Sequence, residues 1–186
     1  MARRGFKTWA EKTASNYRDQ LCIKEIDPLC AWRLAEHLKI IVWTPEMIPE
    51  LPEKWVLILK KNPSSWSAAT LANFDSPLII LNSSHSNCRQ SHDLMHELSH
   101  IILAHKPTRV DLSEDSFFLI NSYNAELEEE ADILARTLLL PRVALVSIKK
   151  KKMTQAEAIK KYNVSKELFN MRLNLTGINK QFRSRK

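Results

Sequence analysis

The 186 residues predict an α+β fold, mostly helical, with a small sheet beside one central helix and a helical pair at the C-terminal end. Three observations carry this. Apolar residues recur at helical spacing in several separate stretches. Short β-branched or apolar runs, bounded by proline and asparagine, interrupt them. Only 2 glycines occur, too few for a turn-rich sandwich or for a phosphate-cradling loop.

Residues 8–22 place Trp9, Ala10, Thr13, Tyr17 and Leu21 on one side of a first helix. Asp27-Pro28 reads as an N-cap followed by proline at the first helical position, opening a second helix through Trp32, Leu34, Ala35 and Leu38. Ile40 to Trp43 is a short strand. Pro45, Pro49 and Pro52 make the next stretch irregular. Lys54 to Lys61 fits helix or strand, and Pro52 at its start favours helix. Ser67–Leu71 and Leu78–Asn82 read as the two strands of a hairpin, joined by a loop with Asn73 and Asp75.

The central helix spans about 88–105 and contains His96-Glu97-Leu98-Ser99-His100, an H-E-x-x-H. Residues four apart on a helix point the same way, so His96 and His100 can grip one metal ion. Glu97 is rotated off that face and can reach water beside the ion, as a general base does. Chance alone gives such a motif in about one comparable chain in a hundred. Here Leu94, Met95, Leu98, Ile101, Ile102 and Leu103 leave the helix almost no solvated side, and buried histidines are costly unless paired or metal-bound.

Residues 107–124 read as a loop with Asp111, Glu114 and Asp115 and a short apolar piece, Phe117–Ile120. It is a candidate rim or lid for a cleft, and its acidity suits a basic partner. A further amphipathic helix, about 124–140, follows with Ala131, Leu134, Ala135, Leu138 and Leu139 at helical spacing. Its first turns carry Glu126, Glu128, Glu129 and Glu130. Catalytic zinc sites take three protein ligands and keep one position for water. Glu128 is the expected third ligand and Glu130 its rival. Asp132 sits among apolar residues, placed to accept the free N–H of a ligand histidine. His92 extends the histidine stripe by one turn, with a supporting role expected. His105 reads as a helix-terminus residue near the negative end of the dipole, and His37 and His85 carry no functional signal. Tyr123 is a candidate oxyanion donor. Leu78, Ile80 and Asn82 are candidates for holding an extended peptide along a sheet edge beside the metal helix.

Charge divides the chain. Residues 1–141 hold 15 basic and 19 acidic side chains, net −4, and residues 142–186 hold 13 basic and 2 acidic, net +11. The expected division is a metal-bearing domain, 1–141, and a basic helical segment, 142–186. In the latter, Thr154 and Glu157 form a capping-box pattern, and Ser165 caps a helix through Leu168, Phe169, Met171, Arg172 and Leu173. Two short helices about a tight turn imitate a helix-turn-helix, so nonspecific DNA contact is one reading and packing on the core the other. Cys22, Cys30 and Cys88 have no metal-type spacing and read as reduced thiols of a cytoplasmic protein. No apolar run reaches the length of a membrane span and no signal peptide is expected.

HELSH coupled to E-x-x-A-D-x-x-A-x-x-L-L-x-P, Glu128 to Pro141, resembles the ImmA/IrrE metallopeptidases. The likeness extends over Trp66–Thr70, Leu78–Asn82, Arg89 and Arg172–Gly177, and so covers roughly residues 10–180 by our reading of these motifs. Asp132 departs from the family's frequent Asn, and Leu134 from its frequent Phe. The resemblance implies a zincin-like fold that favours helix at Lys54–Lys61, a Zn2+ cofactor, and cleavage or inactivation of helix-turn-helix repressors, often in mobile elements or stress responses. The competing expectation is a transcriptional regulator that binds DNA or protein with weak or no peptidase activity. The intact Glu97 favours the enzyme.

Overall fold

The structure, a computed structural model of the chain, describes residues 2–48, 66–71, 77–106, 109–113, 116–122 and 124–183. Lys54–Lys61, Asn73, Asp75, Glu114, Asp115 and Tyr123 lie outside the described residues. The architecture is α+β and mostly helical, as expected.

Helix α1 spans Phe6–Gln20 and starts from Gly5, whose φ of 83° is left-handed. Its buried stripe is Phe6, Ala10, Ala14 and Arg18, each one turn from the next. The stripe built on Trp9, Thr13 and Tyr17 is therefore rotated, and Trp9 is 40% exposed. The reason is Arg18, fully buried, which a hydrophobic pattern places outside. Its guanidinium donates to the carbonyls of Ala14 (3.0 Å), Asp27 (3.1 Å) and Leu138 (2.8 Å). Burial pushes it down to about 10, so it stays charged at neutral pH.

Helix α2 runs Ala31–His37 from Cys30, not from Asp27 as the sequence suggests. Asp27 is occupied elsewhere: its carbonyl serves Arg18 and its carboxylate faces Lys161 at 3.5 Å. The extended stretch after it sends Leu29 into the core. Lys39, with φ 57°, ends α2 and turns the chain into β1, Ile41–Trp43.

The hairpin forms as β2, Ala68–Leu71, antiparallel to β3, Leu78–Leu81. β1 then pairs parallel to β3, giving the order β1-β3-β2. The expectation that Leu78, Ile80 and Asn82 offer a sheet edge is not met. β3 is the middle strand, its backbone is paired on both sides, and Leu78 is buried. Asn82 is also buried, donating to the Trp66 carbonyl at 3.0 Å and accepting from the Ser84 amide at 3.0 Å.

Helix α3, Asn87–Ile102, lies against this sheet, α2 and α4, Ala125–Leu139. Asn124 caps α4, accepting from the amides of Glu126 (3.1 Å) and Leu127 (2.9 Å). Between α3 and α4 the sequence suggests a loop. The chain instead forms a second sheet, β4 (Arg109–Ser113) antiparallel to β5 (Ser116–Ser122), with a register shift between Asp111 and Ser113. A local ladder satisfies the backbone of the Phe117–Ile120 run, which an open loop leaves unpaired.

The expected C-terminal pair is present as α6 (Gln155–Tyr162) and α7 (Lys166–Leu175), flanked by α5 (Arg142–Lys150) and α8 (Ile178–Arg183). Thr154 and Glu157 make a full capping box, Asn163 turns the chain at φ 48°, and Ser165 caps α7. Ala158, Tyr162, Leu168, Phe169 and Leu173 join the same hydrophobic cluster as α1, α3 and α4. Tyr162 donates to the Ile26 carbonyl at 2.5 Å, and Arg172 to Glu11 (2.6 Å) and the Leu140 carbonyl (2.9 Å). The tail thus packs on the core.

Candidate metal centre

Leu94, Met95 and Leu98 turn one face of α3 into the core, which brings His96 and His100 to the face that meets α4. Their Nε2 atoms lie 3.1 Å apart. From α4, Glu128 sets Oε2 at 3.2 Å from His96 Nε2 and Oε1 at 3.6 Å from His100 Nε2. These three residues form the group able to hold a metal ion among the described residues. A tetrahedral ion with bonds of about 2.0–2.2 Å keeps its ligand atoms about 3.3–3.5 Å apart. The three separations bracket that value, so the donor set fits such an ion in both spacing and chemistry.

The remaining ring nitrogens have partners. His96 Nδ1 is 3.3 Å from Asp132 Oδ1, and Asp132 Oδ2 accepts from Arg136 at 2.6 Å. Burial alone lowers His96, but Asp132, with Glu97 and Glu128, outweighs it and raises the imidazole above its ordinary value. Asp132 is correspondingly lowered: its hydrogen bond to His96 and the charge of Arg136 overcome its desolvation. His100 is driven the other way, to about 3, by burial and then by the neighbouring charges of His96 and His105. It is therefore neutral at pH 7, the state a metal ligand needs.

His105 belongs to this constellation, which its sequence position conceals. Ala104 takes a left-handed φ of 51°, the His105 amide closes onto the His100 carbonyl at 3.0 Å, and the two Nδ1 atoms meet at 3.0 Å. If His100 offers its Nε2 lone pair to a metal, its Nδ1 carries the proton and His105 Nδ1 accepts it. The His105 proton then sits on Nε2, which faces Glu130 Oε2 at 3.8 Å. Glu130 itself is 8% exposed and accepts from the Arg3 amide at 3.2 Å, with Arg3 Nε at 3.3 Å. Glu128 and Glu130 thus serve different partners.

Glu97 points to the sheet, where Thr70 of β2 donates to its Oε2 at 2.5 Å. Burial raises the Glu97 carboxyl above its ordinary value; Thr70 and His96 pull it back down, and Glu128 and Asp93 push it up. Thr70, buried on a strand 27 residues away, gives no signal in sequence beyond its place in the hairpin. His92 sets Nδ1 3.8 Å from Asp93 Oδ1, and its charge also helps lower Asp132. Asp93 also receives His85 Nδ1 at 3.1 Å and Arg89 Nε at 3.6 Å, so His85 holds the start of α3.

Among the described residues no helix is long and apolar enough to cross a membrane. No curated protein matches the chain. The family model for a peptidase family, the IrrE N-terminal-like domain, matches residues 56–174. That span takes in Thr70, the His96–His100 helix and the Glu128 helix, and over it the chain belongs to the ImmA/IrrE family of metallopeptidases.

Proposed function

We propose that the chain is a zinc-dependent endopeptidase of the cytoplasm, cutting a DNA-binding repressor of the helix-turn-helix class. The observation that carries this reading is the convergence of His96, His100 and Glu128 beside a carboxylate, Glu97, already oriented by Thr70. His96, His100 and Glu128 would hold the zinc; Asp132 and His105 would fix the two tautomers from behind. Zinc, when bound, supplies Lewis acidity to water and to the scissile carbonyl. With Oε2 held by Thr70, Glu97 Oε1 is the oxygen left to take a proton from the attacking water. Glu97 then gives that proton to the leaving amine. Its raised affinity for protons suits both halves of the task, because a general base works best near the working pH. No protein nucleophile is involved; Cys22, Cys30 and Cys88 are free thiols, and none of them is among the residues of the metal group.

Support for the repressor rests on the family and on charge. The +11 carried by residues 142–186 suits approach to DNA-bound protein through nonspecific phosphate contact. The test is incubation of the zinc-loaded chain with helix-turn-helix repressors of its own genome, with fragments read by mass spectrometry. Cleavage by the wild type and none by Glu97→Gln at equal zinc content is the expected result. Cutting of unfolded casein but of no repressor leaves a peptidase and discards the substrate class. Cleavage by Glu97→Gln equal to wild type refutes the base.

A further inference from the structure

A cavity of about 350 Å³ opens between α1, α4, α5 and α7. Four elements send cations into it: Lys7, Arg136, Arg142 and Arg172. One carboxylate, Glu11, lines it, and both of its oxygens are engaged. Oε1 accepts from Arg172 at 2.6 Å and Oε2 from the Arg142 amide at 2.9 Å. The Arg142 guanidinium meets only a neutral amide oxygen, Gln181 Oε1, at 2.8 Å. Lys7 has no ion-pair partner among the described residues. Positive charge is thus in excess over the carboxylates that reach the cavity. Arg172 feels this: burial first, and then the like charge of Arg136, hold it below the ordinary guanidinium value despite Glu11.

We propose that this cavity binds a small phosphate-bearing molecule, a phosphomonoester, through Lys7, Arg136 and Arg142. Guanidinium forks match phosphate oxygens in pairs, and Thr8 and Thr176 add hydroxyls to the wall. Ile133 and Leu175 give an organic body an apolar surface to rest on. The volume lies at the small end of ligand sites, so the occupant is nucleotide-sized or smaller.

The site is wired to the metal centre by one side chain. Arg136 donates to Asp132 Oδ2 at 2.6 Å, and Asp132 Oδ1 is the partner of His96 Nδ1 at 3.3 Å. A phosphate that recruits Arg136 loosens its grip on Asp132, leaving that carboxylate a stronger acceptor for His96. This coupling, unlike the binding itself, rests on the metal-centre reading above.

Titration of the 186-residue chain with adenosine 5′-monophosphate and with inorganic phosphate at physiological salt tests the site by calorimetry. One saturable event is expected, weakened at least about tenfold by Lys7→Gln and by Arg142→Gln. It should survive His100→Ala and the triple change Lys150→Gln, Lys151→Gln, Lys152→Gln. Binding that disappears with His100→Ala sits at the metal centre, binding that disappears with the lysines is diffuse charge, and absence of saturation shows no site. Each of these overturns the proposal. For the wire, the His96 ring nitrogens are followed by NMR. They should shift on saturation in the wild type and not in Arg136→Gln; an unmoved wild-type ring overturns the coupling and leaves the calorimetric result to decide the site.

Discussion

Thr70→Val is the sharpest test of how the base is held. Valine keeps the shape and β-propensity of threonine on β2 and removes one hydroxyl. That hydroxyl donates to Glu97 Oε2 at 2.5 Å, a bond to a charged acceptor in a buried place. Such bonds are worth about 1.5–3 kcal/mol, and the loss falls on the ionised form of Glu97. Two effects follow in the same direction at neutral pH. The carboxyl, already raised by burial, rises further without Thr70, so less of it is ionised. It also swings free of the geometry needed to meet water. If the full bond energy is felt in the transition state, kcat/KM falls roughly ten- to a hundredfold. Thr70 is not one of the three residues of the metal group, so zinc content should stay at the wild-type level. The assay is a pH profile of peptide cleavage at matched zinc content. Glu97 must be ionised to act, so activity is lost as pH falls through its pKa, and in the variant that acidic limb should move to higher pH. Activity should partly recover above it. A limb that stays in place, in a folded and zinc-loaded variant, refutes the claim that Thr70 orients and ionises the base.

Glu128→Ala should strip zinc from the chain, whereas Glu130→Ala, which acts only through His105, should weaken zinc by about ten- to a hundredfold at most, as metal analysis against a chelator will show. The reverse order moves the ligand. Arg18→Leu orphans the Asp27 and Leu138 carbonyls and should cost about 2–4 kcal/mol, read as a lower urea midpoint. Asp93→Asn tests pH dependence. The folded Asp93 lies below its ordinary value because His92, His85 and Arg89 outweigh its desolvation. Its contribution is therefore full above the ordinary aspartate range and fades as pH falls below it. The variant should lose about 1–3 kcal/mol at pH 7 and progressively less toward pH 3, by urea unfolding. Tyr162→Phe removes the bond to the Ile26 carbonyl and should cost about 1 kcal/mol in the same assay, tying the basic segment's stability to that of the core.

Periodicity made α3, α4, α6 and α7 legible, because each buries a regular apolar face and several carry side-chain caps at their first turns. The β2–β3 hairpin was legible for the same reason in period two, but not the rank of its strands. Nothing in Leu78–Leu81 says that β1 pairs on its other side and makes it central, a fact settled by a parallel contact across 37 residues. The apolar pattern sets the face of α1 one residue out of phase because the true face includes Arg18, whose burial depends on carbonyls from Asp27 and Leu138 that only the fold brings near. The β4–β5 hairpin hid behind acidic residues that read as a solvated loop. The role of His105 is hidden in the sequence for a local reason. The helix ends at Ile102, and a left-handed Ala104 folds the chain back, so a residue counted as beyond the helix lands against His100.

The run Glu128-Glu129-Glu130 shows most clearly where spacing stops being informative. All three sit in the first turns of α4, where the helix dipole favours any carboxylate. Two residues along a helix is a rotation of about 200°, so Glu128 and Glu130 must serve different neighbours, but rotation alone does not say which faces the histidines. The distant chain decides. The Ala2 amide donates to Glu129 Oε2 at 3.0 Å, and Arg3 meets Glu130 through its amide and its guanidinium. Those contacts engage two of the three carboxylates from outside, and the Arg3 guanidinium offsets the charge of Glu130. Glu128 is left with only the paired Nε2 atoms of His96 and His100 in reach among the ion pairs of the described residues. Two imidazoles that close are not both cationic, and His100 is held neutral at pH 7, so they offer Glu128 at most one positive charge. A dication placed between the three atoms would supply the charge that the cluster otherwise lacks, which is the electrostatic reason for proposing this carboxylate, and not its neighbours, as the third ligand.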